Sequence, residues 1–210
     1  DVLTLFVAVV DYGMGNLDSV RRAVQLQGST ATTTADPQVI SEADRIILPG
    51  VGAFGEAMIN LRERGLDTTL THQVLDERVP FLGICLGMQL MARSSTEHGN
   101  HEGLGWLDCA VVKLEPADTA ERVPHVGWNE VHPAIDSPLF HDIDNDRDFY
   151  FVHSFHVATD DQDVVLATTP YAGGFNSAVG TRNMFGVQFH PEKSQQAGQI
   201  LLKNFLTWKG

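Results

Sequence analysis

The stretch PFLGICLGMQLMAR (80–93) decides how the chain is read. Its apolar start, PFLGI (80–84), reads as a buried strand. Its end, LGMQLMARS (86–94), reads as a helix. Between them lies Gly83-Ile84-Cys85-Leu86-Gly87. Strand, Gly-x-Cys-x-Gly, helix is the pattern of a tight turn that lifts a nucleophile above the C-terminal edge of a sheet. Side chains two residues either side of the nucleophile would collide in such a turn, and glycine removes them. The helix N-terminus favours a thiolate at Cys85. The Leu86 N–H would face an oxyanion formed beside the sulfur. The residues alone equally allow a buried core thiol. A redox thiol fits less well, because no Cys-x-x-Cys is present. Cys109, the other of two cysteines, reads as core.

Outward from this turn, the first half alternates strand and helix patterns. LFVAVV (5–10) and RIILP (45–49) read as buried strands. LDSVRRAVQLQG (17–28), FGEAMINLRERG (54–65) and TTLTHQVLDER (68–78) have helical spacing, with Gly28 and Gly65 as stops. Strands separated this way imply βαβ units and a parallel sheet. The second half turns strand-rich: CAVVKLE (109–115), GWNEVH (127–132), FYFVHSFHVA (149–158), VVLATT (164–169), NSAVGT (176–181) and MFGVQFH (184–190). These predict an antiparallel or mixed extension. SQQAGQILLKNFLTW (194–208) closes as an amphipathic helix. The expectation is one α/β domain over 1–210, a mixed central sheet flanked by helices with a smaller antiparallel extension.

The chain has 210 residues and a formal net charge of −13. That balance argues against nucleic acid and anionic membranes as partners, since both need basic patches. HDIDNDRD (141–148) and TDDQD (159–163) read as solvated acidic loops. Two cysteines cannot build a disulfide framework, so a reducing, cytoplasmic setting is expected. LTLFVAVV is too short to span a bilayer and lacks the flanks of a signal peptide. The sequence starts at Asp1 without a methionine, as a trimmed chain would.

A cysteine nucleophile needs a histidine base and a group to orient it. Nine histidines compete. His98 and His101 lie in a polar loop with weak metal spacing and no third ligand in view. His72 reads as surface, and His132 and His141 as turns. His153 and His156 are placed on one strand with opposite faces. His190 ends a strand in FHPEKS, followed by Pro191 and then Glu192. A carboxylate two residues on could hold one tautomer and stabilise the imidazolium.

Together, GICLGMQ and FHPEKS resemble the signatures of class I (triad) glutamine amidotransferases. DYGMGNLDSV (11–20), LPGVGAFGEAM (48–58), PHVGWN (124–129) and FYFVHSFH (149–156) resemble the glutaminase subunits of imidazole glycerol phosphate synthases. The resemblance runs the whole chain. It implies a flavodoxin-like fold with a mixed central sheet. It implies Cys85 as nucleophile, His190 as base and Glu192 as its orienter. Gly50, Val51, Gly52 and Leu86 match the oxyanion region. Gln89 matches the glutamine pocket, and His153, Ser154 and Phe155 the strand bordering it. Asn16, Tyr150 and Lys193 match elements facing a partner.

The implied activity is hydrolysis of glutamine to glutamate and ammonia, without cofactor or metal. The implied partner is a (β/α)₈-barrel cyclase subunit that receives the ammonia for histidine biosynthesis, in a heterodimer. An alternative keeps the chemistry and changes the acceptor, since SSTEHGNHEGLGWLDCAVVKLEP (94–116) and RVPHVGWNEV (122–131) also resemble paralogues that amidate surface-polysaccharide sugars. GVGAFG (50–55) matches Gly-x-Gly-x-x-Gly literally. The acidic residues about 20 positions on, Asp76 and Glu77, fall in an apparent helix rather than at a strand end. The loop therefore reads as backbone donors beside Cys85.

Overall fold

Phe81–Cys85 is buried at every position, and the other elements are stacked around it. A computed structural model describes residues 4–134, 137–144 and 147–210. Chain order begins β1 (Phe6–Val10), α1 (Leu17–Gln25), β2 (Thr30–Thr34), α2 (Pro37–Ser41), β3 (Arg45–Gly50) and α3 (Phe54–Glu63). Next come α4 (Leu66–Thr71), a π-helical turn (His72–Asp76), β4 (Phe81–Cys85) and α5 (Leu86–Gln89). The strand-rich half holds β5 (Ala92–Ser95), β6 (His101–Glu102), β7 (Leu107–Lys113), β8 (His125–Pro133), β9 (Arg147–His153) and β10 (Phe155–Ala158). It ends with β11 (Val165–Thr169), β12 (Phe175–Thr181), β13 (Met184–Val187) and α6 (Gln195–Thr207).

The sheet runs β2-β1-β3-β4-β13-β12-β10-β7-β5-β6. Its first five strands are parallel, and β12 and β10 pair antiparallel. β8 and β9 form an antiparallel pair attached through β11. Period-two alternation sends neighbouring residues to opposite faces. Ala8 and Val10 join the core under α2, α3 and α4 with Phe54, Met58, Leu66 and Leu70. Val7 and Val9 join the core under α1 and α6 with Val20, Val24, Leu201 and Phe205. Burial on both faces explains why the central strands read as unbroken apolar runs. Among the described residues no helix is long and apolar enough to cross a membrane.

Four local expectations are corrected. The helix expected over 86–94 stops at Gln89, and Ala92–Ser95 becomes a strand pairing with β7. Every residue from Phe81 to Ala92 is buried, so its apolar pattern carries no periodicity to separate helix from strand. The helix expected over 68–78 changes to a π-helical turn from His72. The strand expected over 149–158 breaks at Ser154, so His153 belongs to β9 and His156 to β10. His101, expected in a polar loop, lies in β6 and is half-buried, its ring filling the space where a Gly55 side chain would stand. The expected pattern does not contain β2, α2, β5 and β6: TATTT builds β2 from four β-branched threonines around buried Ala31. In the acidic stretch 141–148, Asp142 and Asp144 are exposed, while Asn145 and Asp146 lie outside the described residues.

Candidate active site

Cys85 ends β4 with φ 55° and ψ −109°, a left-handed geometry that a non-glycine residue adopts only when its surroundings force it. The two glycines explain how the turn closes. A Cβ at Gly83 would lie 2.5 Å from the Gly87 carbonyl oxygen. A Cβ at Gly87 would fall on the Leu48 carbonyl oxygen. Cys85 itself is 6% exposed, at the mouth of a cavity rather than sealed in the core.

Register brings the neighbours in. On one side, β3 pairs Gly50 directly with Cys85. On the other, β13 pairs Val187 with Ile84, which puts Gln188 level with Cys85 and His190 two residues beyond. Gln188 Nε2 donates to Cys85 Sγ at 3.6 Å, and its Oε1 accepts from Gln89 Nε2 at 3.0 Å.

His190 Nδ1 lies 2.8 Å from Glu192 Oε1, with both side chains almost wholly buried. Pro191 opens a 3₁₀ turn that aims Glu192 back at the ring. Ser194 pins the turn: its hydroxyl donates to the His190 carbonyl at 2.6 Å and accepts the Tyr150 N–H at 3.1 Å. Nδ1 donates to the carboxylate, leaving Nε2 without a standard hydrogen bond among the described residues. Burial pulls the imidazolium down, but the Cys85 sulfur and the Glu192 carboxylate outweigh it and hold His190 at about 9. At neutral pH the ring therefore stands protonated, ready to give a proton.

A cavity of about 270 Å³ opens beside Cys85, lined by Val51, Gly52, Leu86, Gln89, Glu97, Pro124 and residues 152–155. That size suits a single amino acid better than a nucleotide. Leu86 opens α5, where the first N–H groups of a helix have no partner within it. Val51 is 43% exposed, and Gly52 holds φ +114°, a backbone conformation that favours glycine. Glu97 was not anticipated, because nothing in its polar loop marks it. Its Oε2 accepts the Phe54 N–H at 2.7 Å, at the start of α3. This carboxylate occupies the helix end where a dinucleotide phosphate would sit, which removes the nucleotide reading of GVGAFG. Gln188 and Tyr12 also escaped notice. The position of Gln188 two residues before His190 could have flagged it. The Tyr12 hydroxyl is buried beside Gly50 with no hydrogen-bond partner among the described residues, and burial raises its pKa strongly.

The expected partner-facing residues are more scattered. Asn16 is exposed in a loop whose Gly15 packs on Gly50. Lys193 is exposed, with Nζ 5.7 Å from the Tyr150 ring.

Residues 8–208 match the glutamine amidotransferase class-I family. The chain belongs to that family. This amidotransferase is 47% identical to the imidazole glycerol phosphate synthase subunit HisH of Nitrosomonas europaea, over 96% of this chain and 98% of that protein. It is 46% identical to the subunit of the same name from Salinibacter ruber, over 94% and 92% of the two chains. The amidotransferase fold also aligns with a chain in the structure of PurLQS from Thermotoga maritima, with TM-score 0.74, 18% identity, and 97% and 98% coverage. At that identity the likeness concerns fold alone.

Proposed function

We propose that this amidotransferase is the glutaminase subunit of an imidazole glycerol phosphate synthase, releasing ammonia to a (β/α)₈-barrel partner in the cytoplasm. The observation that carries the chemistry is Cys85 in a left-handed turn, paired with Gly50 and facing the buried His190–Glu192 couple.

The Cys85 thiolate attacks the side-chain amide carbon of glutamine. A C–S bond forms and the carbonyl electrons move to oxygen. The N–H of Leu86 and those of the Gly50–Gly52 segment stabilise that oxyanion; one such donor is worth roughly 10²–10³ in rate. The C–N bond then breaks, His190 protonates the nitrogen, and ammonia leaves. Water, deprotonated by His190, attacks the thioester, and the C–S bond breaks to give glutamate and the thiol. Glu192 holds the ring and offsets its charge. Glu97, the acidic residue of the cavity wall, suits the α-ammonium group of glutamine.

Ammonia in water near neutral pH is mostly ammonium, which is not a nucleophile. A subunit that makes it needs an acceptor sealed to its own surface. Both named relatives are synthase subunits, which favours the histidine-pathway barrel over a polysaccharide enzyme.

The test is glutamate release by wild type and Cys85→Ala, each with and without the barrel subunit. Wild type is expected to be stimulated by the barrel, and Cys85→Ala to fall by about a thousandfold or more. Activity retained in Cys85→Ala would sink the nucleophile assignment. A barrel that neither binds nor stimulates would sink the partner.

A further inference from the structure

Two buried histidines outside the Cys85–His190–Glu192 group form a hydrogen-bonded chain whose direction the structure fixes. His125 on β8 is 4% exposed and His153 at the end of β9 is 6% exposed. The strands pair these two residues in register. His125 Nδ1 lies 2.9 Å from His153 Nε2. His153 Nδ1 lies 2.9 Å from the Phe155 carbonyl oxygen. His125 Nε2 lies 3.2 Å from Asn129 Nδ2.

Each proton can be assigned. A carbonyl only accepts, so His153 carries its proton on Nδ1 and presents Nε2 as an acceptor. His125 must then donate from Nδ1, leaving its own Nε2 as an acceptor. Asn129 supplies the matching donor, because its Oδ1 is already taken by the Glu130 N–H at 2.9 Å. Every bond thus points from Asn129 toward Phe155, with both rings neutral.

The chain continues into the cavity. The Phe155 carbonyl also accepts from Gln89 Nε2 at 3.0 Å. Gln89 donates to Gln188, which donates to the Cys85 sulfur. Residues 152–155 form one wall of the Cys85 cavity. His125 does not line that cavity. It is clamped between Tyr171 and Phe151, with centroids 4.0 and 4.8 Å away. Other ionisable groups near the pair are Glu121, His156 and His190, and the Tyr171 hydroxyl bonds the Arg122 backbone. On the opposite side of β8, Val126 and Trp128 are exposed.

We propose that His125 is a positioning residue for the glutamine pocket. Through His153 it fixes the Phe155 carbonyl and the 152–155 wall against Gln89, and it ties that wall to the strand bearing Val126 and Trp128. This deepens the glutaminase reading and rests on it.

The test uses glutaminase kinetics in the complex with the barrel subunit. His125→Phe keeps the ring stack but strips His153 Nε2 of its donor. KM for glutamine is expected to rise about tenfold, with kcat within about threefold. His125→Gln, which can donate again, recovers most of the loss. Asn129→Leu, which leaves both rings in place, raises KM about threefold. An unchanged KM in both His125→Phe and Asn129→Leu, or no recovery in His125→Gln, overturns the proposal. So does a fall in kcat with KM constant. Imidazole ¹⁵N spectra of the wild type give a readout independent of activity: both rings should be protonated on Nδ1. A proton on Nε2 of either ring overturns the chain, whether or not the protein turns over glutamine. Absence of glutamate release by the wild type would instead sink the glutaminase reading, leaving the spectra to judge the chain.

Discussion

Cys85 shows how much chemistry can rest on what its neighbours lack. Its left-handed backbone costs on the order of 1–3 kcal/mol, which the surrounding sheet and helix must offset. The turn closes only because Gly83 and Gly87 carry no side chain. Gly83→Ala and Gly87→Ala both collide with backbone and should each destabilise the fold by about 1–3 kcal/mol, Gly87→Ala at the upper end, since its Cβ would fall on the Leu48 carbonyl oxygen itself. Gly28→Ala is the control: φ is +85° but nothing stands within 4 Å, so the cost should stay near 1 kcal/mol. Urea unfolding measures all three. A loss at Gly87 no larger than that at Gly28 would show that collision does not limit the turn. The Gly83 collision is local, with Gly87 and Met88, and so legible in sequence; the Gly87 collision, with Leu48 on β3, is tertiary. Glu97 was not legible either, since it reaches the cavity from a loop whose composition is that of any polar turn.

The elements show where local pattern stops deciding. α5 lasts four residues because the chain must turn out to pair Ala92 with Leu107. The break at Ser154 exists because β9 pairs with β8 while β10 pairs with β7 and β12. Both choices are made by partners distant in sequence. The β8–β9 pair also sorts its residues by face. His125 and Phe151 point inward, whereas Val126, Trp128 and Val152 are exposed, and Trp128 meets Tyr150 edge-on at 5.9 Å. An exposed Trp beside apolar neighbours fits a protein-binding surface. Trp128→Ala should weaken the barrel complex about tenfold or more while leaving the isolated subunit's melting temperature nearly unchanged. Calorimetric titration against the barrel subunit checks this, and full-strength binding would remove β8 from the interface.

At the scale of the molecule, buried histidines shape stability against pH from both sides. Burial depresses His125 to about 4, and burial likewise brings His153 to about 3. Below the ordinary value of 6.5 the unfolded chain takes protons that these folded rings refuse, so stability falls with pH down to about 3–4. His190 does the reverse. Held at about 9, it binds a proton the unfolded chain has lost, so its contribution is complete below 6.5 and disappears as pH rises through about 9. The melting temperature should therefore peak near pH 6.5. His125→Phe should flatten the acid limb, and Glu192→Gln the alkaline one. A flat profile from pH 5 to 8 would contradict these assignments.

By itself, the sequence determined the strand–helix alternation through β1, β3 and β4, the elbow at Cys85 and the His190–Glu192 turn. Each carries a local mark: an unbroken apolar run, glycines on either side of a tight turn, a proline that fixes the exit of a strand. Only the tertiary structure decided that β3 and β13 flank β4, and so that Gly50 and Gln188 stand on either side of the sulfur. It alone brought Glu97 to the cavity wall and joined His125 to His153. Strand order and register depend on which apolar faces can be buried together, and that is a property of the whole packed chain rather than of any stretch of it.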